Sequence, residues 1–421
     1  MLRCISSHEV CIKKAFAMII YKAFALMIYN SLGIDAIHGF TVINPAPDLT
    51  AKIIVHSEVI MPPLSLMIKP ASSLCNLSCE YCFYRDVSEH REHLGFGIMA
   101  RETAEILIKK AFSYADGNQI AFAFQGGEPT LAGLDFFRFF VDTVKKYNTK
   151  NSPVFYGMQT NGTVIDDEWA EFLSENHFLV GLSLDGDMEG NRFRKKPSGQ
   201  NSFYKILSAA EILKKHNVDF NILTVLTGYC AENGERIYRY FRDKGFKYLQ
   251  FIPCLRPFGS DEKSELYMTS EQYADFLIRV FNLYVKDYVR DNYISIRQFD
   301  NWVRLFLRQP TEQCGITGHC SHQFVAEANG NIYPCDFYCT DGYFLGNILE
   351  TDFTAMEKSE TAKSFIKESL TVPERCKVCE VGFMCRKGGC KRTQLSEDYC
   401  EAYKKFFTAC LPLFRVFINE K

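Results

Sequence analysis

From residue 64 onward, short apolar runs alternate with longer stretches in which apolar residues recur three and four positions apart. The short runs predict six strands, over residues 64–68, 120–124, 154–159, 178–184, 220–225 and 248–252. The longer stretches predict helices over residues 101–114, 134–146, 166–175, 203–216, 233–244 and 270–291. Strands that alternate with helices are typical of a parallel sheet, so six such units predict an α/β fold with an open, partial barrel.

Polar motifs lie at the ends of three predicted strands, as Gln-Gly-Gly-Glu at 125–128, Gln-Thr-Asn-Gly at 159–162 and Ser-Leu-Asp-Gly at 183–186. In parallel barrels, ligands bind at the carboxyl ends of the strands. The two glycines let the backbone approach a ligand closely, and free peptide groups there can form hydrogen bonds with that ligand. Ordinary turns and helix caps would also explain each motif taken alone.

Three cysteines, Cys75, Cys79 and Cys82, lie in one short stretch with a CxxxCxxC spacing. Three thiolates hold three corners of a [4Fe-4S] cube and leave one iron open, which can chelate a small molecule that is reduced there. The alternatives are a zinc loop and a redox CxxC pair. Zinc usually takes four protein ligands and thioredoxin-type pairs lack the upstream cysteine, so the spacing favours the cluster.

Length and composition narrow the classes of function. A chain of 421 residues is long enough for two domains. A formal net charge of −2 offers no basic excess for phosphates or anionic lipid, so we expect neither nucleic acid nor membrane as a partner. The 17 cysteines suit metal ligation better than a disulfide scaffold, which is normally short and secreted. Because oxidation destroys exposed clusters, we expect a cytoplasmic, low-oxygen setting.

A second group of cysteines lies towards the end of the chain, and its members are Cys314, Cys320, Cys335, Cys376, Cys379, Cys385, Cys390 and Cys400. Eight thiolates suit two sites of four ligands each. Two structural zinc ions stay open as an alternative, because the spacing alone does not separate zinc from a cluster.

The stretch ASSLCNLSCEYCFY at 71–84, with Tyr81 before the last cysteine, resembles the signature of the radical S-adenosylmethionine (SAM) enzymes. The resemblance implies that the open iron binds SAM and that one electron cleaves SAM to methionine and a 5′-deoxyadenosyl radical. It also implies a set of residues that contact SAM, namely Gln125, Gly126, Gly127 and Glu128 in the glycine motif, together with Ser183 and Arg194.

The cysteine-rich tail resembles the SPASM domain, which carries two auxiliary [4Fe-4S] clusters. That resemblance assigns Cys314, Cys320, Cys335 and Cys390 to one cluster, and Cys376, Cys379, Cys385 and Cys400 to the other. The interval between Cys385 and Cys390 reads RKGG, one residue more than the closest relatives lead us to expect. The ligand count is unaffected, but the geometry of this loop stays open.

Within the SPASM proteins, the chain resembles the anaerobic sulfatase-maturating enzymes across residues 62–407, in stretches such as FQGGEPTL, QFIPC and NGNIYPCDFY. The resemblance implies conversion of a cysteine or serine of a sulfatase to Cα-formylglycine. Asp336 matches the base that takes the substrate proton, and Tyr84 matches a tyrosine near the substrate. Asp336 could instead be a surface or capping carboxylate. Expected partners are a sulfatase polypeptide, unfolded or nascent, and an electron donor such as a ferredoxin or flavodoxin.

Two rival functions stay open. The first is another SPASM-type modifier, which forms thioether or carbon-carbon crosslinks in a ribosomal peptide and commonly brings an N-terminal recognition domain. The second is a non-enzymatic electron carrier or zinc scaffold, in which the motifs at the strand ends would have no purpose.

The domain organisation that we expect has three parts. Residues 1–61 form an extension outside the core, residues 62–295 the radical SAM core, and residues 296–421 the SPASM domain with its auxiliary clusters. The extension contains a tandem repeat, KAFAMIIY and KAFALMIY, interrupted by Lys22. It fits neither a signal peptide nor a spanning helix well, and a membrane-surface helix is the remaining alternative.

Overall fold

A ten-stranded sheet organises the molecule. The structure is a computed structural model and describes residues 63–393 and 397–419. The first six strands are β1 (Leu64–Ile68), β2 (Ile120–Phe124), β3 (Val154–Thr160), β4 (Phe178–Ser183), β5 (Phe220–Leu226) and β6 (Tyr248–Pro253). They lie side by side in chain order, and every neighbouring pair is parallel. The predicted open, partial barrel is thus confirmed, with each strand ending within one residue of its predicted position.

Helices connect these strands and continue beyond them. In chain order they are α1 (Phe83–Glu89), α2 (Arg101–Ala115), α3 (Leu134–Tyr147), α4 (Asp167–Glu175), α5 (Phe203–Lys215), α6 (Gly228–Glu232), α7 (Gly234–Asp243), α8 (Ser270–Val289), α9 (Arg297–Phe306), α10 (Phe353–Glu357), α11 (Glu360–Ser369), α12 (Glu374–Lys377), α13 (Gly382–Cys385) and α14 (Glu397–Cys410). The six predicted helices correspond to α2, α3, α4, α5, α7 and α8 and are confirmed.

Local sequence sets where these helices begin and which face they bury. The side chains of Asp166 and Thr269 accept hydrogen bonds from the backbone at the starts of α4 and α8, and Thr269 forms a capping box with Gln272. In α3, Phe137 and Phe140 are buried, and their rings each lie 4.9 Å from that of Phe124 on β2. Apolar stripes of this kind fix the helices against the sheet.

The later part of the chain extends the sheet at both edges. Strand β7 (Ser295–Ile296) pairs with β6, while β8 (Val325–Ala326), β9 (Asn331–Tyr333) and β10 (Gly346–Asn347) follow one another outward from β1. Because β8 pairs with Met67 and Ile68, the segment after β9 comes close to the carboxyl end of β1. The predicted domain division between residues 295 and 296 falls inside β7 and stays a prediction.

The C-terminal helix belongs to the same hydrophobic core as the sheet. The ring of Phe281 on α8 lies 5.4 Å from Phe406 on α14 and 4.7 Å from Phe414. The apolar face of α8, which includes Tyr273, Phe276 and Leu277, is buried. The predicted extension at residues 1–61 lies outside the described residues. Among the described residues, no helix has the length and apolar character needed to cross a bilayer.

Candidate active site

A cavity of about 420 Å³ lies at the carboxyl ends of the parallel strands. It is lined by every predicted site residue except the four cysteines of the outer group, that is, by Cys75, Cys79, Cys82, Tyr84, Gln125, Gly126, Gly127, Glu128, Ser183, Arg194, Cys314, Cys320, Cys335, Asp336 and Cys390. Cys75 and Cys390, which both line the cavity, lie 315 positions apart in the chain. The structure therefore brings the strand-end motifs, the first three cysteines and four of the eight tail cysteines to one cavity.

The first three cysteines occupy the loop that joins β1 to α1. Burial is the main cause that raises the pKa of the Cys75 thiol to about 11 and that of the Cys79 thiol to about 12, and neighbouring thiols of the trio contribute to both values. Cys254, which lies outside the CxxxCxxC spacing, lines the same cavity.

The two glycines of the QGGE motif allow contact with the cysteine loop. The backbone N–H of Gly127 donates to Ser72 O at 2.8 Å, and the N–H of Glu128 donates to Leu74 O at 2.7 Å. A Cβ atom on Gly127 would overlap the Leu74 carbonyl group. We expected free peptide groups here to bind a ligand. The N–H groups of Gly127 and Glu128 are not free, because both donate hydrogen bonds to the cysteine loop.

The carboxylate of Glu128 ties two strand ends together. It is 1% exposed and accepts hydrogen bonds from Thr160 Oγ1 and Asn161 N, both at 2.7 Å, and from Thr130 Oγ1 at 2.6 Å. Burial raises the pKa of Glu128, and these hydrogen bonds counteract the rise. The side chain holds the end of β2 against that of β3, while its role towards a cofactor stays a prediction.

Arg194 is held at the cavity by a buried aspartate, Asp185. The guanidinium donates to both carboxylate oxygens, with Nη2–Oδ1 at 3.0 Å and Nε–Oδ2 at 3.2 Å. Asp185 is fully buried and also accepts from the Tyr81 hydroxyl group and from Val225 N. We did not predict Asp185 as a site residue, although a polar residue after a buried strand marks its position in the SLDG motif.

Asp336 lies at the centre of a polar cluster drawn from three distant segments. The Tyr84 hydroxyl group donates to Oδ2 at 2.7 Å, and Gln125 Nε2 donates to the same oxygen at 2.9 Å. The Lys69 ammonium group lies 3.1 Å from Oδ1. Burial, followed by the charge of Asp336, raises the pKa of Tyr84, so its hydroxyl group keeps its proton. Gln125, which we predicted to contact a cofactor, contacts Asp336 here.

Sequence reasoning missed Lys69, which follows β1 directly. Its side chain is 2% exposed, and Nζ lies 3.7 Å from Glu327 Oε1, which Arg91 Nη1 contacts at 2.5 Å. Burial acts to lower the pKa of Lys69, but the surrounding Cys339, Asp336 and Glu327 raise it overall, so the ammonium group stays charged. Two cations and two carboxylates therefore balance one another inside the protein, as buried charges require.

The eight grouped cysteines of the tail line two cavities, four in each, in the same sets that the resemblance implies. The inner group, Cys314, Cys320, Cys335 and Cys390, lines the 420 Å³ cavity together with the first trio. The outer group, Cys376, Cys379, Cys385 and Cys400, lines a second cavity of about 320 Å³. The 15 cysteines among the described residues are all free of disulfide bonds.

The four residues of the loop between Cys385 and Cys390 all have positive φ angles. The φ angles of Arg386, Lys387, Gly388 and Gly389 are +49°, +63°, +82° and +77°. A Cβ atom on Gly389 would overlap the Gly315 carbonyl group, which lies beside Cys314. The loop thus folds back against the inner group, and glycine is needed at residue 389.

The thiol sets have the ligand type and number that iron–sulfur clusters take. Within residues 63–393 and 397–419, no three His, Cys, Asp or Glu side chains are placed to hold one metal ion. The cysteines instead surround cavities, and sets of three and four thiolates are the ligands of [4Fe-4S] clusters.

Two family profiles match the chain. The Radical SAM superfamily matches residues 70–243, and the SPASM iron–sulfur cluster-binding domain matches residues 318–380. A cysteine-type anaerobic sulfatase-maturating enzyme of Clostridium perfringens (strain 13 / Type A) is 47% identical over 364 residues, which cover 84% of this chain and 97% of that protein. A serine-type anaerobic sulfatase-maturating enzyme of Bacteroides thetaiotaomicron is 30% identical over 376 residues, covering 83% and 90%.

Solved structures agree with these matches. Native anSMEcpe with bound AdoMet and Cp18Cys peptide superposes with a TM-score of 0.81 at 42% identity, covering 86% of this chain and 100% of that chain. SuiB of Streptococcus suis bound to precursor peptide SuiA gives a TM-score of 0.56 at 19% identity, covering 80% of this chain and 73% of that chain. At that identity the likeness shows the fold alone.

Proposed function

Because the chain belongs to the anaerobic sulfatase-maturating enzymes, we propose that it is a radical SAM oxidoreductase that converts a cysteine of a sulfatase to Cα-formylglycine. Cysteine is the favoured substrate because the cysteine-type relatives are 43–47% identical to the chain, whereas the serine-type relatives are 27–30% identical. The observation that carries the proposal is the meeting of Asp336 with the first cysteine trio in one cavity.

The cofactors are SAM and iron–sulfur clusters. Cys75, Cys79 and Cys82 would hold the first cluster, and the inner and outer groups of cysteines would hold one cluster each. When bound, SAM and the first cluster supply a carbon radical that removes one hydrogen atom from the substrate. Gly126 and Ser183 would contact SAM from the strand ends, and Arg194 would do so from its position against Asp185.

The polar cluster around Asp336 supports its role as the base. Lys69 places a positive charge 3.1 Å from Oδ1, and Tyr84 and Gln125 orient the carboxylate by donating to Oδ2. An ionised, oriented carboxylate at the cavity can take the proton of the substrate thiol once a Cβ hydrogen has been removed. One further electron would pass to an auxiliary cluster held by the tail cysteines, which would leave a thioaldehyde that water hydrolyses to the aldehyde and hydrogen sulfide.

The partners that we propose are a sulfatase polypeptide, unfolded or nascent, and a one-electron donor such as a ferredoxin or flavodoxin. An unfolded substrate fits because the cysteine must reach a cavity lined by buried groups at the strand ends. A cytoplasmic setting fits the free thiols of the described cysteines, which an oxidising compartment would pair.

A peptide assay tests the proposal. The reconstituted enzyme is incubated anaerobically with SAM, dithionite and a peptide carrying the cysteine motif of a sulfatase, and the product is examined by mass spectrometry. We expect formation of an aldehyde that reacts with a hydrazine probe, and none from a peptide with alanine at the cysteine. A thioether or carbon-carbon crosslink in place of the aldehyde would contradict the proposal.

A further inference from the structure

The surface around the outer cysteine group exposes four large apolar side chains. Leu370, Val372, Val378 and Phe383 are 54%, 44%, 85% and 55% exposed. Leu370 and Val372 line the same cavity as the four outer cysteines, and Val378 lies between Cys376 and Cys379 in the chain. Scattered apolar residues on a surface are ordinary, whereas a group of them around one cavity marks an interaction site. We call these four residues and the cavity mouth the outer surface.

Basic residues surround the apolar ones on the outer surface. The residues that line the cavity include Arg375, Arg386, Lys387 and Lys404. Among the residues that the structure describes, no Asp or Glu lines this cavity. Lys377 lies on α12 between two of the cysteines, with 53% of its side chain exposed. Three acids among the described residues lie nearby: Lys377 and Lys404 pair with Glu374 and Glu401 at 2.5 and 2.9 Å, and the exposed Glu380 follows Cys379. The concentration of cations contrasts with the chain's formal net charge of −2.

Compensation of thiolate charge would explain only part of this arrangement. Cations near four thiolates lower the cost of their negative charge, so a purely structural role accounts for the basic residues. It does not account for Val378 and Phe383, which gain nothing from lying in water beside the cysteines. A surface that combines exposed apolar groups with an excess of positive charge is suited to a negatively charged partner.

We propose that the outer surface docks a small acidic protein that carries single electrons. The inference rests on the proposed function, which requires one electron to start each reaction. Docking transfers one electron and forms no covalent bond, so the carrier is oxidised by one electron as the enzyme is reduced by one. Redox partners bind transiently through small interfaces, and opposite charges steer their encounter. The outer cysteines are the thiol set nearest this surface, which gives the electron a point of entry.

The test compares two matched charge reversals in the holoenzyme. Lys377→Glu with Lys404→Glu changes the outer surface, and the control is Lys145→Glu with Lys215→Glu. The control lysines are 67% and 66% exposed, and each also pairs with an aspartate on the surface, so the total change of charge is the same. The probe is a purified ferredoxin of net negative charge, and its affinity is measured by biolayer interferometry in low salt.

We expect the outer reversal to weaken binding of the ferredoxin by ~10-fold or more and the control reversal by less than ~2-fold, because only the former removes the facing charges. Raising the salt concentration from about 0.05 to about 0.3 M should weaken binding of the ferredoxin to the wild type by a similar factor. This measurement does not depend on whether a variant folds. Equal loss in both reversals, or binding of the wild type that does not depend on salt, would overturn the proposal.

The apolar part of the outer surface is tested by Val378→Ser, which should weaken ferredoxin binding severalfold while iron content, measured by chemical analysis, stays unchanged. Unaltered affinity would remove the apolar contact from the proposal. Failure of the proposed function is a separate result: the wild type would then bind the ferredoxin but form no aldehyde with dithionite, a small reductant that needs no docking surface.

Discussion

Asp336 is held by side chains that lie far apart in the sequence. Lys69 and Tyr84 precede it by more than 250 positions, yet both lie within 3.1 Å of its carboxylate oxygens. Because the ammonium group is buried together with Asp336 and Glu327, it cannot leave the site without exposing unpaired charge. The carboxylate is therefore fixed in position, as a general base requires.

Asp336→Asn separates the reaction of the substrate from cleavage of SAM. Asparagine keeps the size of the side chain but cannot take a proton, so formylglycine formation should fall by ~10²-fold or more while SAM cleavage continues. The measurement is parallel quantification of 5′-deoxyadenosine and modified peptide. Asp135→Asn, at a side chain that is 83% exposed, is the control and should change neither product. Unchanged peptide oxidation by Asp336→Asn would remove Asp336 from the mechanism.

Lys69→Met tests the buried charge balance. Methionine fills a similar volume but leaves Asp336 and Glu327 with one cation, Arg91, so the free energy of unfolding should fall by about 3–5 kcal/mol. Anaerobic thermal unfolding of the holoenzyme is the measurement. The double variant Lys69→Met/Asp336→Asn removes a charge of each sign and should recover part of that stability. Additive losses in the double variant would show that the two residues do not interact.

Sequence identified the residues of the site better than their contacts. The cysteine spacing and the strand-end motifs carry local signals, and all their predicted residues other than the outer cysteines line one cavity. Lys69 and Asp185 were missed because each is defined by a partner distant in the chain, Asp336 for the first and Tyr81 for the second. Gln125 was identified as a cofactor contact, which stays a prediction, and its hydrogen bond to Asp336 was missed for the same reason.

The loop from Cys385 to Cys390 joins the outer cysteine group to the inner one. Its four residues with positive φ reverse the chain within a short distance and place Gly389 against Gly315. Glycine permits both the left-handed conformation and the contact, since any Cβ atom there would overlap a carbonyl group. The additional residue of this loop is therefore accommodated by backbone conformation.

Gly389→Ala should disrupt the inner cysteine group. The shift needed to relieve the overlap moves the backbone beside Cys314 or Cys390, and we expect loss of about four irons per chain with a lower unfolding temperature. Gly259→Ala is the matched control, because Gly259 has a φ of +70° but no neighbouring atom within 4 Å of where its Cβ atom would lie. Equal iron content in the two variants would show that the contact is not required.

Secondary structure was predictable where its elements are long and periodic. The six central strands and the helices between them end close to their predicted positions, because alternating burial leaves a clear pattern in the sequence. Strands β7 to β10 span two or three residues each and carry no periodicity. Their pairing is decided by the neighbouring strands β6 and β1, so it became visible only in the structure.

At the scale of the whole molecule, the cysteines predict a defined metal content. Sets of three, four and four thiols should bind about twelve irons in three [4Fe-4S] clusters after anaerobic reconstitution. Elemental analysis for iron, zinc and sulfide is the measurement. About four irons with two zinc ions would contradict the assignment of the inner and outer groups to clusters and would leave only the first trio as a cluster site.

The sheet and the tail both contribute to one cavity. The first trio lies after β1 and Asp336 follows β9, so the cysteines that would hold the first cluster and the proposed base come from distant segments and meet in this cavity. The account consequently predicts that a hydrogen atom leaves the Cβ of a substrate cysteine within this cavity and that Asp336 takes the thiol proton.

The most direct test of this account follows that hydrogen atom. The holoenzyme is incubated with SAM, dithionite and a sulfatase-motif peptide whose cysteine carries deuterium at both Cβ positions, and 5′-deoxyadenosine is analysed by mass spectrometry. The account predicts one deuterium in 5′-deoxyadenosine and one retained in the aldehyde of formylglycine. Formylglycine accompanied by 5′-deoxyadenosine that contains only solvent hydrogen, or deuterium transfer without an aldehyde product, would contradict it.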